Sequence, residues 1–294
     1  MTRHGLGLGA ALLLACCSGS LQGDPDLGPA PLEGGTGDAA LHDGTRPGDA
    51  GPHREQAGGV DQSGTTLDGK PGEFTLSMAG RSYRLLVPSG YSSSKPIALL
   101  VGFHGAGDTG SNFFAICKAV GFASAAAPAS FILLVPDTKS PLHDFANWSG
   151  NPNNDVPKMK QEMDEIVAMI EDVSLHYRVD AKHVHAFGFS DGGLFCAVGG
   201  MYRSDFFASL TICGFGWGSA YPLVTPARKL ASQFVCGQQD SFYSMAQQSE
   251  SFLKGAGHPT RLLAVPGVGH QFSGLMQADP PSTLFSWMKQ YPLP

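Results

Sequence analysis

Three side chains in this sequence have the types and the chain order of an activated serine. Ser190 lies at the centre of the stretch GFSDG at residues 188–192, which fits the pattern G-x-S-x-G. A serine hydroxyl is a poor nucleophile until a base takes its proton and a third group orients that base. Asp240 and His270 follow in the order that a serine turn on a parallel sheet requires. The sequence therefore predicts acyl transfer through Ser190.

The context of Ser190 supports this interpretation more than the motif does. With 39 Gly in 294 residues, a G-x-S-x-G match can arise by chance. However, Ser190 follows an apolar run at 183–189 and precedes a helical segment at 194–202. A nucleophile elbow forms at such a strand-to-helix junction, and Gly188 and Gly192 leave room for its strained turn. We therefore expect Ser190 to be the nucleophile.

The candidate acid and base each follow a short apolar run. Asp240 comes after the run at 233–236, and His270 comes after the run at 261–265. In open α/β sheets, catalytic groups gather where the parallel strands end. We therefore assign Asp240 as the acid and His270 as the base.

Chain position argues against the rival residues. His183 and His185 lie within a predicted strand, and His258 precedes one, which places it at the wrong end of the sheet. A base at His143 would break the chain order of the three groups. Asp205 is the main rival acid, but it precedes a strand instead of following one.

Acyl transfer also needs hydrogen-bond donors for the developing oxyanion. One predicted donor is the backbone N–H of Asp191, whose carboxylate is expected to point away. The other is the N–H of Ala106 in the stretch HGAG at 104–107, which is similar to an HGGG-type oxyanion loop. The His104 side chain is a candidate substrate contact, although we prefer a role in holding this loop through hydrogen bonds.

The long loop at 139–156 is predicted to overhang the same edge of the sheet. Two of its aromatic residues, Phe145 and Trp148, are candidates for lining an acyl or aromatic pocket. The alternative is that these aromatics only anchor a long loop. The sequence leaves both interpretations open.

The order of strand-like and helix-like segments predicts the fold that positions these residues. Alternating residues at 74–78 and 82–87 flank a turn and indicate an antiparallel hairpin. Apolar runs then alternate with helical segments, which predicts an α/β fold with a mostly parallel sheet and helices on both faces. The later predicted strands are 97–103, 131–136, 183–189, 209–213, 233–236 and 261–265, and the helices are 112–120, 158–177, 194–202, 244–254 and 282–290.

The N-terminal residues are typical of a bacterial export signal. Arg3 precedes an apolar stretch at 6–15, and residues 13–16 read LLAC, which is similar to a lipobox. We therefore expect a lipoprotein-type signal at 1–16, with Cys16 as the lipidated first residue of a protein anchored to the cell envelope. The alternative is ordinary cleavage with Cys16 removed or unmodified, which would give a secreted protein.

Residues 17–70 are predicted to be a disordered tether. They are rich in Gly, Pro, Asp and Ala, and no Phe, Tyr or Trp precedes Phe74, so they can bury little apolar surface. Their acids outnumber their bases by six, which accounts for the formal net charge of −6. The remaining residues, 71–294, are predicted to form one nearly neutral domain with no basic surface for nucleic acid.

The six cysteines show no metal-binding spacing, and we expect neither a metal nor another cofactor. Buried free thiols are the expected state of the domain cysteines, because Cys packs as a small apolar side chain. A disulfide is left open, since Cys213 and Cys236 are predicted at the ends of neighbouring strands and export permits oxidation. The domain cysteines are Cys117, Cys196, Cys213 and Cys236.

Five stretches of the domain together carry a family resemblance. They read LLVGFHGAGDTGSNF, DFANWSG, EDVSLHYRVDAKHVHAFGFSDGG, GQQD and VPGVGH, and the similarity spans roughly 74–291. The sequence resembles exported bacterial esterases with the α/β-hydrolase fold, namely the polyhydroxybutyrate depolymerase and feruloyl or acetylxylan esterase-like proteins. The resemblance implies Ser190 as nucleophile, Asp240 as acid and His270 as base.

This sequence departs from that family in two respects. Members often have Met-Ser-Asn or Phe-Ser-Gln at the elbow, where this chain has Phe-Ser-Asp. Many polymer depolymerases also carry a separate substrate-binding domain, and nothing follows Pro294 in this sequence. We therefore do not expect an insoluble polyester as the substrate.

The residues and the resemblance together lead to one expected function. The protein is expected to hydrolyse short hydroxyalkanoate or carbohydrate-linked (feruloyl or acetyl) esters through an acyl-enzyme. Its expected partners are a small or oligomeric ester and, through the anchor alone, a membrane; no protein partner is implied. The alternatives are a serine peptidase on the same fold and a non-catalytic, surface-tethered binding protein with a hydrolase-like fold.

Overall fold

The structure is a computed structural model that describes residues 67, 69–78, 80–127, 130–138, 148, 156–217 and 224–294. Several sequence predictions fall outside these residues. They are the export signal with Cys16, most of the tether, His143 and the proposed pocket residue Phe145.

Eight strands form one sheet, and their pairing confirms the predicted fold class. They are β1 (Gly72–Met78), β2 (Arg81–Val87), β3 (Ile97–Phe103), β4 (Phe131–Pro136), β5 (Val179–Phe189), β6 (Ser209–Cys213), β7 (Ala231–Gly237) and β8 (Thr260–Val265). The spatial order is β1-β2-β4-β3-β5-β6-β7-β8. β1 and β2 form the antiparallel hairpin, β2 pairs antiparallel with β4, and every later pair is parallel.

Helices cover both faces of the sheet, as the alternation of segments predicts. They are α1 (Gly110–Ala119), α2 (Phe122–Ala126), α3 (Val156–His176), α4 (Asp191–Tyr202), α5 (Tyr243–Gly255), α6 (Phe272–Ala278) and α7 (Pro281–Met288). Buried residues of α3, α4 and α5 share one core layer, whereas those of α1, α2, α6 and α7 share the other. Within the described part of the chain, no helix combines the length and apolarity needed to cross a bilayer.

The central strands are apolar on both sides because each side faces a layer of helices. In β3, Leu99 packs into one core layer and its neighbour Leu100 packs into the other. A strand buried on both faces reads as a continuous apolar run instead of an alternating one. This is why β3, β4 and β6 have the bounds that their apolar runs predict.

The folded region begins before the predicted end of the tether. Leu67, which the sequence assigns to the tether, is buried and belongs to the core layer of α3 and α4. The Tyr177 hydroxyl donates a hydrogen bond to the Lys70 carbonyl oxygen at 3.0 Å. The described fold therefore includes Leu67 and Lys70, which composition alone assigns to the tether.

Candidate active site

Ser190 occupies a strained turn between β5 and α4. Its φ is 56° and its ψ is −118°, and among the described residues it is the one non-glycine residue with positive φ. Such conformations cost about 1–3 kcal/mol and persist where neighbouring structure enforces them. The Ser190 N–H donates to the Cys213 carbonyl on β6 at 2.9 Å, and the Leu194 N–H donates to the Ser190 carbonyl at 3.0 Å. The serine hydroxyl therefore projects from a backbone that is fixed on both sides.

Two glycines make this turn possible, as the sequence predicts. A Cβ on Gly188 would clash with the backbone carbonyl of Gly192, one turn along the chain. A Cβ on Gly192 would clash with the carbonyl oxygens of Phe103 and His104 at the end of β3. The motif glycines therefore let α4 approach both β5 and β3 at backbone distance.

The structure brings the three predicted groups together in a hydrogen-bonded chain. The His270 Nε2 lies 2.8 Å from the Ser190 Oγ, and the His270 Nδ1 lies 2.8 Å from the Asp240 Oδ2. A carboxylate oxygen can only accept, so the hydrogen of the neutral imidazole is on Nδ1 and the Nε2 lone pair faces the serine hydroxyl. The Asp240 side chain is fully buried, whereas the His270 side chain is 36% exposed.

The Asp240 carboxylate is fixed by its own loop. Its Oδ1 accepts a hydrogen bond from the Phe242 N–H at 2.9 Å, an arrangement typical of an aspartate that starts a turn. Burial first, and then the Asp240 charge and a hydrogen bond to it, raise the pKa of the Cys236 thiol to about 12. The thiol of Cys236 therefore stays protonated beside the carboxylate.

The loops that carry Asp240 and His270 brace each other. A Cβ on Gly237, at the end of β7, would clash with the Val268 carbonyl in the turn that precedes His270. The Gln239 N–H donates to that same Val268 carbonyl at 3.0 Å. Asp240 and His270, the predicted acid and base, are therefore held by one joined pair of loops at the ends of β7 and β8.

Two aromatic rings flank the His270 imidazole. The ring centroid of Phe189 lies 4.8 Å from that of His270, and the centroid of Phe242 lies 5.6 Å from it. Both rings therefore pack against the imidazole and restrict its position beside Ser190. Sequence reasoning assigned no role to Phe242, although its position two residues after Asp240 is the signal for the backbone hydrogen bond described above.

The predicted oxyanion loop emerges beside Ser190. Phe103 pairs with Gly188 in the parallel β3–β5 ladder, so residues 104–107 leave the sheet next to the serine turn. A Cβ on Gly105 would lie 3.5 Å from the Ser190 Cβ. The Asp108 N–H donates to the Gly105 carbonyl at 3.2 Å, which closes a turn in which Gly107 has a φ of 75°. Ala106 is exposed at the tip of this turn.

The other predicted donor belongs to Asp191. This residue is the first of α4, where backbone N–H groups have no intrahelical acceptor. The Asp191 carboxylate accepts a hydrogen bond from the Trp148 backbone N–H at 3.2 Å. The Asp191 carboxylate is thus engaged in a contact with the Trp148 backbone.

The structure does not fit the prediction that His104 and Trp148 contact substrate. Both side chains are fully buried, so neither offers surface to a bound molecule. The His104 Nδ1–H donates to the Gly105 carbonyl at 2.9 Å, and burial lowers the pKa of His104. His104 therefore holds the predicted oxyanion loop as a neutral ring, and Trp148 packs as a core residue. Phe145, the other proposed pocket residue, lies outside the described residues.

The rival residues have structural partners elsewhere. The His185 Nδ1 lies 2.8 Å from the Ser209 Oγ, and burial lowers the pKa of His185 to about 3. His258 bonds to the backbone of Leu230, before β7 begins. Asp205 is an exposed ion-pair partner of Arg203. His183 bonds to Asp180 at the start of β5.

The cysteines and the acidic groups of the described residues form neither a disulfide nor a metal cluster. Four cysteines are free and buried, which is the state that the sequence favours. No group of three or more His, Cys, Asp or Glu side chains in this part of the chain is placed to hold a metal ion. The described cysteines are Cys117, Cys196, Cys213 and Cys236.

Solved structures share this fold, although no protein-family model and no curated protein matches the sequence. A thermostable esterase is 17% identical with a TM-score of 0.58, and the match covers 75% of this chain and 62% of that one. A CE1 ferulic acid esterase from Anaeromyces mucronatus is 16% identical with a TM-score of 0.55, covering 76% and 90% of the two chains. A fluorophosphonate-binding serine hydrolase F of Staphylococcus aureus is 15% identical with a TM-score of 0.54, covering 75% and 98%. This chain thus spans 62% of the thermostable esterase, and its fold is that of the α/β-hydrolases.

Proposed function

We propose that this α/β-hydrolase-fold protein is a serine carboxylic-ester hydrolase that forms an acyl-enzyme on Ser190. The observation that carries the proposal is the hydrogen-bonded chain from the Ser190 Oγ through His270 to the buried Asp240. Such a chain on a strained strand-to-helix turn activates a serine for attack on a carbonyl carbon. The esterases among the structures with this fold support an ester as the substrate.

The geometry gives each group one task in the proposed reaction. The Ser190 Oγ attacks the ester carbonyl while the His270 Nε2 takes its proton, and Asp240 stabilises the resulting imidazolium. The backbone N–H groups of Ala106 and Asp191 donate to the oxyanion of the tetrahedral intermediate. His270 then protonates the leaving alcohol, which departs and leaves the acyl group on Ser190. In the second half, His270 takes a proton from a water whose oxygen attacks the acyl carbon, and it returns that proton to the Ser190 Oγ as the acyl–Oγ bond breaks and the carboxylic acid leaves.

We propose short hydroxyalkanoate or carbohydrate-linked feruloyl and acetyl esters as the substrate class. Two observations support an aromatic acyl group: the rings of Phe189 and Phe242 flank His270, and ferulic acid esterases share the fold. A panel of p-nitrophenyl, feruloyl and 3-hydroxybutyryl esters compared by kcat/KM ranks these groups. Equal kcat/KM for acetyl and feruloyl esters would count against an aromatic acyl preference.

Replacing Ser190 by Ala tests the proposed chemistry. We expect hydrolysis of p-nitrophenyl acetate to fall by about 10³-fold or more, because the nucleophile is lost while the fold is kept. A fluorophosphonate probe is expected to label the wild-type protein and not Ser190→Ala, with circular dichroism as the check on folding. Undiminished ester turnover by the variant overturns the proposal.

Two other results would replace the ester assignment. Cleavage of peptides with no cleavage of esters would establish a serine peptidase on the same fold. An unlabelled wild-type Ser190 together with no turnover of any ester would favour a non-catalytic binding protein.

A further inference from the structure

Trp148 connects the two backbone segments that carry the proposed oxyanion donors. Its indole N–H donates to the His104 carbonyl at 2.8 Å, and its backbone N–H donates to the Asp191 Oδ2 at 3.2 Å. His104 begins the HGAG loop that contains Ala106, and Asp191 begins α4. A single residue therefore bonds both sides of the proposed oxyanion site.

The indole ring also packs between the same two elements. It stacks on Phe195 of α4, with centroids 4.6 Å apart and an interplanar angle of 16°. It meets Phe103, the last residue of β3, edge-on at 5.2 Å. The ring is fully buried, so its N–H would be left without water if the bond to His104 were broken. Ring packing and the hydrogen bond thus both fix the position of the Trp148 indole between β3 and α4.

A buried charge supports the indole ring from the hairpin. The Arg81 guanidinium carbon lies 5.9 Å from the centroid of the Trp148 ring. Arg81 is itself buried and forms ion pairs with Glu162 at 2.6 Å and Glu165 at 3.1 Å on α3. A cation at this distance from an indole is attracted to it. Trp148 is therefore held by β2 as well as by β3 and α4.

We propose that Trp148 is a positioning residue that fixes the separation of the Ala106 and Asp191 N–H groups. This inference rests on the proposed function. The two donors belong to different elements, and an oxyanion must receive both hydrogen bonds at once. The two hydrogen bonds are stronger to the oxyanion than to the neutral ester carbonyl of the bound substrate. Loss of the Trp148 contacts is therefore expected to lower kcat more than it raises KM.

Trp148→Phe tests the link, because phenylalanine keeps an aromatic ring and lacks the indole N–H. We expect kcat on p-nitrophenyl acetate to fall by about 10- to 100-fold, since small displacements of a catalytic site have effects of this size. KM is expected to change by no more than about twofold. The inhibition constant of a boronic acid, which mimics the tetrahedral intermediate, is expected to rise in proportion to the loss in kcat.

The matched control is Trp287→Phe. Trp287 is a nearly buried tryptophan on α7 whose ring contacts Tyr291 and Arg261, and neither residue belongs to the candidate site. We expect this variant to keep the wild-type kcat and boronate affinity. A loss of the same size in both variants would assign the effect to general destabilisation and overturn the positioning role.

Asp191→Ala tests the same link from the other side and keeps the backbone N–H of residue 191. We expect a loss of kcat without a change in KM, together with recovery in Asp191→Asn, whose side-chain oxygen can still accept from the Trp148 N–H. This pair decides the question if Trp148→Phe does not fold. If the wild-type protein hydrolyses the ester and either Trp148→Phe or Asp191→Ala keeps the wild-type kcat, only the positioning role is overturned. Absence of wild-type turnover overturns the proposed function instead.

Discussion

At the scale of single residues, the tautomer of His270 follows from the hydrogen bonds of Asp240. Both carboxylate oxygens accept hydrogen bonds, one from the Phe242 N–H and one from the His270 Nδ1–H. Only a group with two acceptors can satisfy both donors. The carboxylate therefore fixes the tautomer in which the Nε2 lone pair faces Ser190.

Asp240→Asn is expected to lower kcat by about 10⁴-fold, as in other triads that lose the same acceptor. Asparagine has one acceptor oxygen, so its amide NH₂ must face either Phe242 or His270. Facing His270, it favours the tautomer with hydrogen on Nε2, which cannot take the serine proton. Steady-state kinetics at pH 7.5 on p-nitrophenyl acetate measures the loss.

Asp205→Asn is the control for this change, because Asp205 is an exposed partner of Arg203. We expect its kcat to equal that of the wild type. A large decrease in kcat in Asp205→Asn, together with a small decrease in Asp240→Asn, would assign the role of the acid to Asp205 instead of Asp240.

At the scale of elements, the site exists because four strands end at one edge of the sheet. The proposed oxyanion loop follows β3, Ser190 follows β5, Asp240 follows β7 and His270 follows β8. The strands are parallel, so their carboxyl ends lie side by side. Close contact of α4 with the end of β3 then brings the serine and the oxyanion loop together.

Gly192→Ala is expected to separate these two elements. The added Cβ would clash with the carbonyls of Phe103 and His104, so α4 or the oxyanion loop must shift. We expect kcat/KM to fall by about 10²-fold or more and the free energy of unfolding to fall by about 1–3 kcal/mol. Ester hydrolysis and urea denaturation measure the two effects.

The matched control is Gly255→Ala at the end of α5, where an added Cβ meets no atom within 4 Å. Alanine favours helix over glycine by up to about 1 kcal/mol, so stability is expected to stay equal or to rise. Gly192→Ala with wild-type activity would show that α4 does not need this close approach.

The elements were predictable where burial leaves a local pattern. Strands buried on both faces give uninterrupted apolar runs, so β3, β4 and β6 match their predicted bounds. β5 begins at Val179, four residues before its predicted start, because the charged residues Asp180 and Lys182 interrupt the apolar run. The short α2 and α6 are missing from the prediction, since five and seven residues carry too little periodicity.

The candidate site was predictable only where chain order is informative. Ser190, Asp240 and His270 are brought together because each follows a recognisable strand. Trp148 was assigned to a pocket or to a loop anchor with equal support, since no local pattern shows which atoms its ring meets. Phe189 was likewise not assigned to the site, because its contact with His270 joins segments far apart in sequence.

At the scale of the whole molecule, buried neutral histidines make stability depend on pH. Burial lowers the pKa of His185 to about 3, and burial also lowers the pKa values of His104 and His258. The unfolded chain binds protons at these rings near pH 6.5, whereas the folded chain does not. The unfolded state therefore gains protons as pH falls below about 6.5, and folding is destabilised.

We expect the free energy of unfolding to decrease between pH 6.5 and pH 4.5. One such histidine contributes a slope of up to about 1.4 kcal/mol per pH unit. His185→Asn, which can still bond to the Ser209 hydroxyl, is expected to reduce this slope. Urea denaturation at several pH values measures it, and an identical slope in the variant would contradict the assignment to His185.

The four buried thiols of the described residues divide into two pairs, one on each face of the sheet. Cys117 and Cys213 lie in the core layer with α1 and α6, whereas Cys196 and Cys236 lie in the layer with α3 and α4. Burial raises the pKa of each thiol, and only an exposed thiolate reacts with an alkylating reagent. Alkylation of each pair therefore reports the opening of one helix layer during unfolding. The order in which the cysteines are alkylated shows which face of the sheet is exposed first.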